Sequence, residues 1–247
     1  MTDEHTQFQI AARGWCHEGW RGGFYPDDLP EDWRLAYYGN EFRAVVVPAA
    51  HWETVDSVEV ERWLEDTPER FGFYLEVVDL ATDWDRFERL LTPLFPRIKG
   101  VLLRPPAVDA DLHLLLPALE GIAGRWPVSL VLPEGVEPSD AGNDLLAEWH
   151  VTLSWTIGQG EPSWHHGPLV VARAAGNLAY APSYTPSVYT PSVYTPREWR
   201  EIIERCLRAA EGRTLLVVLE GAPPDVEALR AAGMIGDLLA PAGTNEP

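Results

Sequence analysis

Cysteine, motif residues and long apolar runs are scarce in this sequence, and each absence excludes a class of protein. The two cysteines, Cys16 and Cys206, are too few for a disulfide framework or for a four-thiolate zinc site. No apolar run approaches the roughly 18 residues that a membrane-spanning helix needs. The first residues are polar and acidic, so we find no signal peptide and expect a cytoplasmic protein without a membrane partner.

Motifs that identify enzyme classes are also missing. The chain has no Walker loop, no Gly-x-Gly-x-x-Gly, no His-Glu-x-x-His and no Gly-x-Ser-x-Gly. The pair His165-His166 resembles a metal-binding tract only weakly, because adjacent side chains in an extended segment point to opposite sides. We therefore predict no metal site and no cofactor.

Positive charge is scarce as well. Lys99 is the only lysine, and 38 acidic residues against 19 basic ones give a formal net charge of −19. A chain this acidic repels a phosphate backbone, so nucleic acid is not an expected partner. All other basic residues are arginines, whose planar and permanently charged side chains suit ion pairs and oxyanions. A compositional bias of the source genome would explain the excess of arginine equally well.

Short apolar runs, rich in β-branched residues, recur along the whole chain and alternate with helical patterns. The predicted strands are residues 8–12, 44–47, 72–77, 101–104, 128–132, 151–155, 169–173 and 215–219. The predicted helices are residues 31–39, 57–65, 83–94, 110–125, 140–149, 196–210 and 224–232. Eight buried strands that alternate with helices over about 250 residues predict an α/β protein, a single TIM-like (β/α)8 barrel of parallel strands. An open doubly wound sheet is the alternative.

Two segments depart from this alternation. The residues between Trp155 and Leu169 carry no helical pattern, so we predict that one crossover helix is reduced or missing. From Ser183 to Pro196 a five-residue unit ending in Tyr-Thr-Pro repeats, and its prolines exclude a helix. We interpret it as an exposed loop inserted before a late helix; a docking segment for a protein partner, or a lid, is the alternative.

The candidate functional residues follow the predicted strand ends, because a barrel of this kind gathers its active site there. Glu76 is the candidate general base, with His17 or His51 as the acid. The candidate ligand-binding residues are Trp15, Trp20, Tyr25, Trp52, Arg104 and Arg173. Each has a structural alternative: the histidines as solvated or packed residues, Glu76 as the ion-pair partner of Arg104, and the arginines as neutralisers of acidic neighbours.

The run from Gly14 to Pro26, GWCHEGWRGGFYP, is the most specific stretch of the sequence. It resembles the opening of the domain of unknown function 72 (YecE-like) family, in which the first strand ends in Gly-Trp and a Phe-Tyr-Pro turn follows. Later segments agree, among them the Leu102-Leu103-Arg104-Pro105-Pro106 turn, so that the resemblance covers residues 8–106 well and the remainder thinly. It implies a TIM-like barrel and no established activity.

Most polar positions of that family are changed in this chain. Where the family has a lysine on the third strand and a glutamine before the Pro-Pro turn, this sequence has Glu76 and Arg104. The Glu, Asn and Phe-Tyr positions after the second strand correspond here to Val46, Pro48 and His51-Trp52. The resemblance therefore implies a divergent member that has either lost an ancestral chemistry or rebuilt its pocket.

Three functions remain open from the sequence, which does not settle whether the chain is an enzyme. The first is a catalytically degraded barrel that binds a small anionic or polar ligand, or a protein partner, at the C-terminal face. The second is a hydrolase or lyase that acts on a small phosphorylated or carboxylated substrate held by Arg104 and Arg173. The third is an interaction module that works through the Tyr-Thr-Pro repeat.

Overall fold

Nine parallel strands form one sheet that is nearly closed into a barrel. The computed structural model describes residues 6–80, 83–133, 135–162, 164–174 and 194–240. The strands are β1 (Phe8–Arg13), β2 (Ala44–Val47), β3 (Gly72–Val77), β4 (Ile98–Leu103), β5 (Val128–Leu130), β6 (Val151–Leu153), β7 (Trp155–Thr156), β8 (Leu169–Ala174) and β9 (Thr214–Leu219). Their order in the sheet is β6-β5-β4-β3-β2-β1-β9-β8-β7. The predicted α/β barrel is confirmed.

We call each of the eight strand positions around the barrel a stave. The sixth stave is one segment that consists of two short strands. Its first half, β6, pairs with β5, and its second half, β7, pairs with β8. Only Ser154 separates the halves, so this segment spans the seam between the two ends of the sheet. The predicted eight strands therefore correspond to the eight staves, and the ninth strand arises because one stave changes partner at Ser154.

Side chains alternate between the barrel axis and the helices, as the period of two in a strand requires. A separate buried cluster, assigned here to the barrel interior, takes every second residue of six strands: Ala11, Ala44, Val46, Tyr74, Leu102, Leu169, Val171, Leu216 and Val218. The intervening residues, such as Val45 and Val47, belong to the larger core under the helices. The alternation therefore determines which residues of each strand face the barrel axis and, at the strand ends, the open ends of the barrel.

Helices cover the sheet between most strands. They are α1 (Arg34–Glu41), α2 (Ala49–Trp52), α3 (Ser57–Asp66), α4 (Trp84–Leu91), α5 (Leu116–Ile122), α6 (Asp140–Glu148), α7 (Pro196–Ala210) and α8 (Val226–Leu239). Two 3-10 turns, Glu18–Trp20 and Glu31–Trp33, precede α1, one, His113–Leu115, precedes α5, and a longer one, Thr92–Arg97, follows α4. Among the residues described between β7 and β8 there is no helix, as the sequence predicts for this crossover.

Two predicted helices are clearly shorter in the structure, and prolines account for much of the change. The helix predicted over 110–125 is confined to α5, because Pro117 lacks an N–H and therefore occupies the first turn. The α-helix predicted over 83–94 ends at Leu91, and Pro93 lies in the 3-10 turn that follows.

The last helix is longer than predicted. It begins after Asp225, whose carboxylate accepts hydrogen bonds from the N–H groups of Glu227 and Ala228, and it runs seven residues beyond the predicted end at Ala232. Gly236 within the helix allows close contact with the first strand, because a Cβ there would overlap the ring of Phe8. None of the helices described is long and apolar enough to cross a membrane.

Candidate functional site

Five charged side chains lie at the C-terminal end of the barrel, each two residues beyond an interior residue of its strand. Arg13 follows Ala11, Glu76 follows Tyr74, Arg104 follows Leu102, Arg173 follows Val171 and Glu220 follows Val218. Because side chains alternate with a period of two, all five continue the interior rows toward the mouth. We call these five residues the charged layer.

Arg13 and Glu76 form a two-pronged ion pair across β1 and β3. Arg13 Nε donates to Glu76 Oε2 at 2.7 Å, and Arg13 Nη2 donates to Glu76 Oε1 at 2.6 Å. The Glu76 side chain is 2% exposed, whereas that of Arg13 is 36% exposed. Both oxygens of the predicted general base therefore accept hydrogen bonds, and the pair is open to solvent only from the arginine side.

Glu220 joins the two predicted anion-binding arginines. Arg173 Nε and Nη2 donate to its two carboxylate oxygens at 2.9 and 2.8 Å, and Arg104 Nη2 donates to Oε1. Arg104 Nε also lies 3.7 Å from Glu76 Oε2, so that Arg104 stands between the two carboxylates. The five side chains thus form one chain of contacts in the order Arg13, Glu76, Arg104, Glu220, Arg173.

The charged layer carries one positive charge in excess, because it has three arginines and two glutamates. Burial alone would raise the pKa of Glu220, but the hydrogen bonds and charges of Arg173 and Arg104 outweigh it and hold that pKa below its ordinary value. The hydrogen bond to Glu76 raises the pKa of Arg13 further. In a protein with a net charge of −19, the charged layer is therefore a local exception.

Arg104 is the least satisfied member of the layer. Of the five N–H groups of its guanidinium, one donates a hydrogen bond, from Nη2 to Glu220. Its Nε is buried without a hydrogen-bond partner in the described part of the chain, and no described residue accepts a hydrogen bond from Nη1. Because the side chain is 26% exposed while Nε is buried, the donors left for a ligand are those of Nη1 and the second N–H of Nη2.

The two candidate acids make other contacts. His17 Nε2 donates to the carbonyl of Arg13 at 3.0 Å, and its ring packs against Trp20 with centroids 4.5 Å apart. His51, on α2, packs against Trp15 and Trp63 at centroid distances of 4.4 and 5.5 Å. Burial lowers the pKa of both imidazoles, which keeps them neutral at pH 7.

The four predicted aromatic ligand residues are buried. Gly14, with a φ of +84°, turns the chain after Arg13, and Trp15 packs edge-on against Trp63. The Tyr25 hydroxyl donates to the carbonyl of Trp15 at 2.7 Å. The structure therefore brings Arg104, Arg173 and Glu76 together, whereas it places Trp15 and Tyr25 in the hydrophobic core.

Trp20 and Trp52 are buried with their indole N–H groups bonded to backbone carbonyls. Trp20 Nε1 donates to the carbonyl of Pro224 at 2.8 Å and so ties the first loop to the last. Trp52 Nε1 donates to the carbonyl of Glu76 at 2.7 Å, directly beneath the charged layer. We call Trp15, Trp20, Phe24, Tyr25 and Tyr38 the aromatic cluster. The ring centroids of the last four lie 4.7 to 6.4 Å apart in the contacting pairs. Trp15 is joined to them by the hydrogen bond from the Tyr25 hydroxyl.

Two members of the charged layer are absent from the predicted site. Arg13 falls one residue past the predicted end of the first strand, and Glu220 follows the eighth predicted strand without having been assigned a role. Counting two residues on from Ala11 and Val218 would have found both. Among the described residues no group of three or more His, Cys, Asp or Glu side chains is placed to hold a metal ion.

The fold has relatives of known structure. A DUF72 family protein from Thermotoga maritima superposes with a TM-score of 0.66 at 18% identity, covering 93% of this chain and 99% of its own. A DUF72 family protein from Enterococcus faecalis gives 0.66 at 12% identity, with coverage of 96% and 98%. D-Psicose 3-epimerase from Clostridium cellulolyticum gives 0.50 at 10% identity, with coverage of 94% and 98%. At these identities the likeness shows the fold alone.

Sequence comparison is more specific. No curated protein matches the chain. The model of the family described as protein of unknown function DUF72 matches residues 9–246, which extends well beyond the segment 8–106 where the resemblance is plainest by eye. The chain belongs to the DUF72 family.

Proposed function

We propose that this protein binds a small anionic molecule at the charged layer and does not convert it chemically. The observation that carries the proposal is the state of the Arg104 guanidinium. It lies between two carboxylates, and one of its five N–H groups donates a hydrogen bond, to Glu220. Three arginines against two glutamates supply the positive charge that attracts an anion. The position, at the C-terminal ends of the strands, is where barrels of this kind bind ligands.

The alternative, a hydrolase or lyase, receives less support from the geometry. A general base needs a carboxylate oxygen that can reach a substrate proton, whereas both oxygens of Glu76 accept hydrogen bonds from Arg13. The two candidate acids, His17 and His51, contact a backbone carbonyl and aromatic rings. Binding without chemical conversion needs neither a free general base nor a general acid, so it fits the described geometry better.

The interaction-module alternative concerns the Tyr-Thr-Pro repeat, of which residues 183–193 lie outside the described residues. The third copy ends with the described residues Tyr194, Thr195 and Pro196, and Thr195 caps α7 in a reciprocal arrangement with Glu198. That observation gives the last copy a structural role and carries no argument for a protein partner.

The proposal is tested by anion binding to the wild type and two arginine variants. Calorimetric titration with acetate, glycolate and glycerol phosphate at constant ionic strength should give saturable binding by at least one probe. Arg104→Gln should abolish it. Arg125→Gln, which removes an exposed arginine paired with Glu88, is the matched control and should leave binding unchanged. No saturable binding by the wild type, or full binding by Arg104→Gln, would overturn the proposal.

A further inference from the structure

The charge balance of the layer restricts the charge of the ligand, provided that the proposed function holds. The side chains of Glu76 and Glu220 are only 2% and 13% exposed. In so sheltered a place a monoanion neutralises the single positive excess, whereas a dianion leaves one uncompensated negative charge close to two carboxylates. The surrounding chain, with a net charge of −19, adds to the repulsion.

Glu220 does not relieve this repulsion by taking up a proton at neutral pH. Burial raises the pKa of Glu220, but the contacts with Arg173 and Arg104 lower it more. Glu76 accepts two short hydrogen bonds from the guanidinium of Arg13. Both carboxylates are therefore already paired with arginines when a ligand arrives.

The hydrogen-bonding groups left in the layer define a second feature of the ligand. The Arg104 side chain is 26% exposed and offers the N–H groups of Nη1 and the second N–H of Nη2, and this terminal edge of a guanidinium matches a carboxylate in geometry. On either side of Arg104 a carboxylate has acceptor positions to spare, since an ionised carboxylate can accept about four hydrogen bonds. Glu76 accepts two from described residues and Glu220 accepts three.

We propose that the charged layer takes a monocarboxylate with a hydroxyl group next to its carboxylate, and that it discriminates against phosphate esters. The ligand carboxylate binds the free donors of Arg104, and the ligand hydroxyl donates to Glu220, which is the more exposed of the two carboxylates. A ligand without the hydroxyl loses that hydrogen bond, and a phosphate monoester, a dianion above a pH of about 6, exceeds the charge that the layer can neutralise.

Three probes of graded chemistry test this on the intact protein at pH 8 and constant ionic strength. We expect calorimetry to rank glycolate first, acetate several-fold weaker and glycerol phosphate at least tenfold weaker than glycolate. Glycerol phosphate binding as tightly as glycolate overturns the inference on charge, and equal binding of acetate and glycolate overturns the inference on the hydroxyl. Both results leave the proposed function standing, whereas binding of no probe overturns both proposals.

A charge substitution tests the same inference from the other direction. Glu220→Gln raises the positive excess from one to two, so the preference should shift at least tenfold toward glycerol phosphate. Glu41→Gln, which breaks an exposed pair with Arg230 elsewhere, is the matched control and should keep the wild-type ranking. An unchanged ranking in a folded Glu220→Gln protein contradicts the inference, and the ranking on the wild type decides it where that variant does not fold.

Discussion

The aromatic cluster and the charged layer both follow the ends of strands, yet one is buried core and the other faces the mouth of the barrel. The charged layer keeps the strand period, so Arg13 continues the row begun by Ala11. One residue later Gly14 leaves that period with its positive φ, and Trp15 enters the core. Proximity to a strand end is therefore a weaker guide to a site than the direction in which the strand points its side chains.

The polar atoms of the two regions are satisfied in different ways. In the aromatic cluster, the Trp20 indole bonds a backbone carbonyl of the last loop, and the Tyr25 hydroxyl bonds a backbone carbonyl ten residues earlier in its own loop. In the charged layer, side chains bond one another, and Arg104 retains unused donors. The first arrangement fixes loops, and the second leaves capacity for a ligand.

The largest expected effect is a loss of stability on substitution of a residue in the aromatic cluster. Trp20→Ala should lower the free energy of unfolding by about 3–5 kcal/mol, because it removes a buried ring and the hydrogen bond to Pro224. Trp33→Ala, at a tryptophan that is 63% exposed, is the control and should change it by less than about 0.5 kcal/mol. Urea denaturation measures both. A Trp20→Ala protein that is as stable as wild type would remove the distinction between the regions.

Trp52 lies where the two regions meet, and its variant sharpens the boundary. Trp52→Phe should cost about 1–3 kcal/mol, because the buried carbonyl of Glu76 loses its indole donor. Anion affinity of the folded variant should stay within a factor of about three, since the indole N–H bonds the backbone. A tenfold loss of affinity with little loss of stability would instead make Trp52 a ligand contact, as the sequence predicts.

Acid should act on the charged layer through Glu220. Its pKa is lowered in the folded protein, so its contribution to stability is complete above the ordinary value of an unfolded glutamate, near pH 4.5, and is lost as the pH falls through the folded pKa. Glu220→Gln should flatten this part of the curve of unfolding free energy against pH. The same slope in Glu220→Gln and wild type would contradict the assignment.

The smallest expected effect concerns the histidine beside the aromatic cluster. Burial lowers the pKa of His51, so the unfolded chain takes up a proton near pH 6.5 before the folded protein does. Stability should therefore decrease as the pH falls from 7.5 to 5.5. His51→Gln should reduce that decrease, and denaturation curves at the two pH values measure it. A wild type that is equally stable at both would show that His51 is accessible to protons in the folded state.

The sequence predicts the barrel well because its strands are continuous apolar runs, whose burial on both faces is a strong local signal. It misses the start of β4, where the exposed Lys99 and then Gly100 interrupt the run although Ile98 pairs with Phe73 of the neighbouring strand. It also stops α8 before Gly233 and Gly236, because glycine has low helix propensity and the packing of Phe8 on Gly236 is tertiary. Such contacts cannot be read from the neighbours in sequence.

The candidate site is predicted only in part. Strand-end reasoning identifies Glu76, Arg104 and Arg173, and it anticipates the pairing of Glu76 with Arg104. It does not identify Arg13 as the closer partner of Glu76, since these residues are 63 positions apart and meet only because β1, β2 and β3 are adjacent. Whether the predicted aromatic residues touch a ligand stays a prediction, which the Trp52 variant addresses.

The stave that changes partner at Ser154 closes the barrel through two short strand pairings of unequal length. Three residues of this stave pair with β5 and two with β8, whereas β9 is paired over five residues on one side and six on the other. Thermal opening of a closed sheet begins where the fewest hydrogen bonds must break, so amide protons of residues 151–156 should exchange with solvent sooner than those of β9. Arg173 is paired with Thr156 in the short pairing between β7 and β8. The mouth of the barrel should therefore widen most readily beside Arg173.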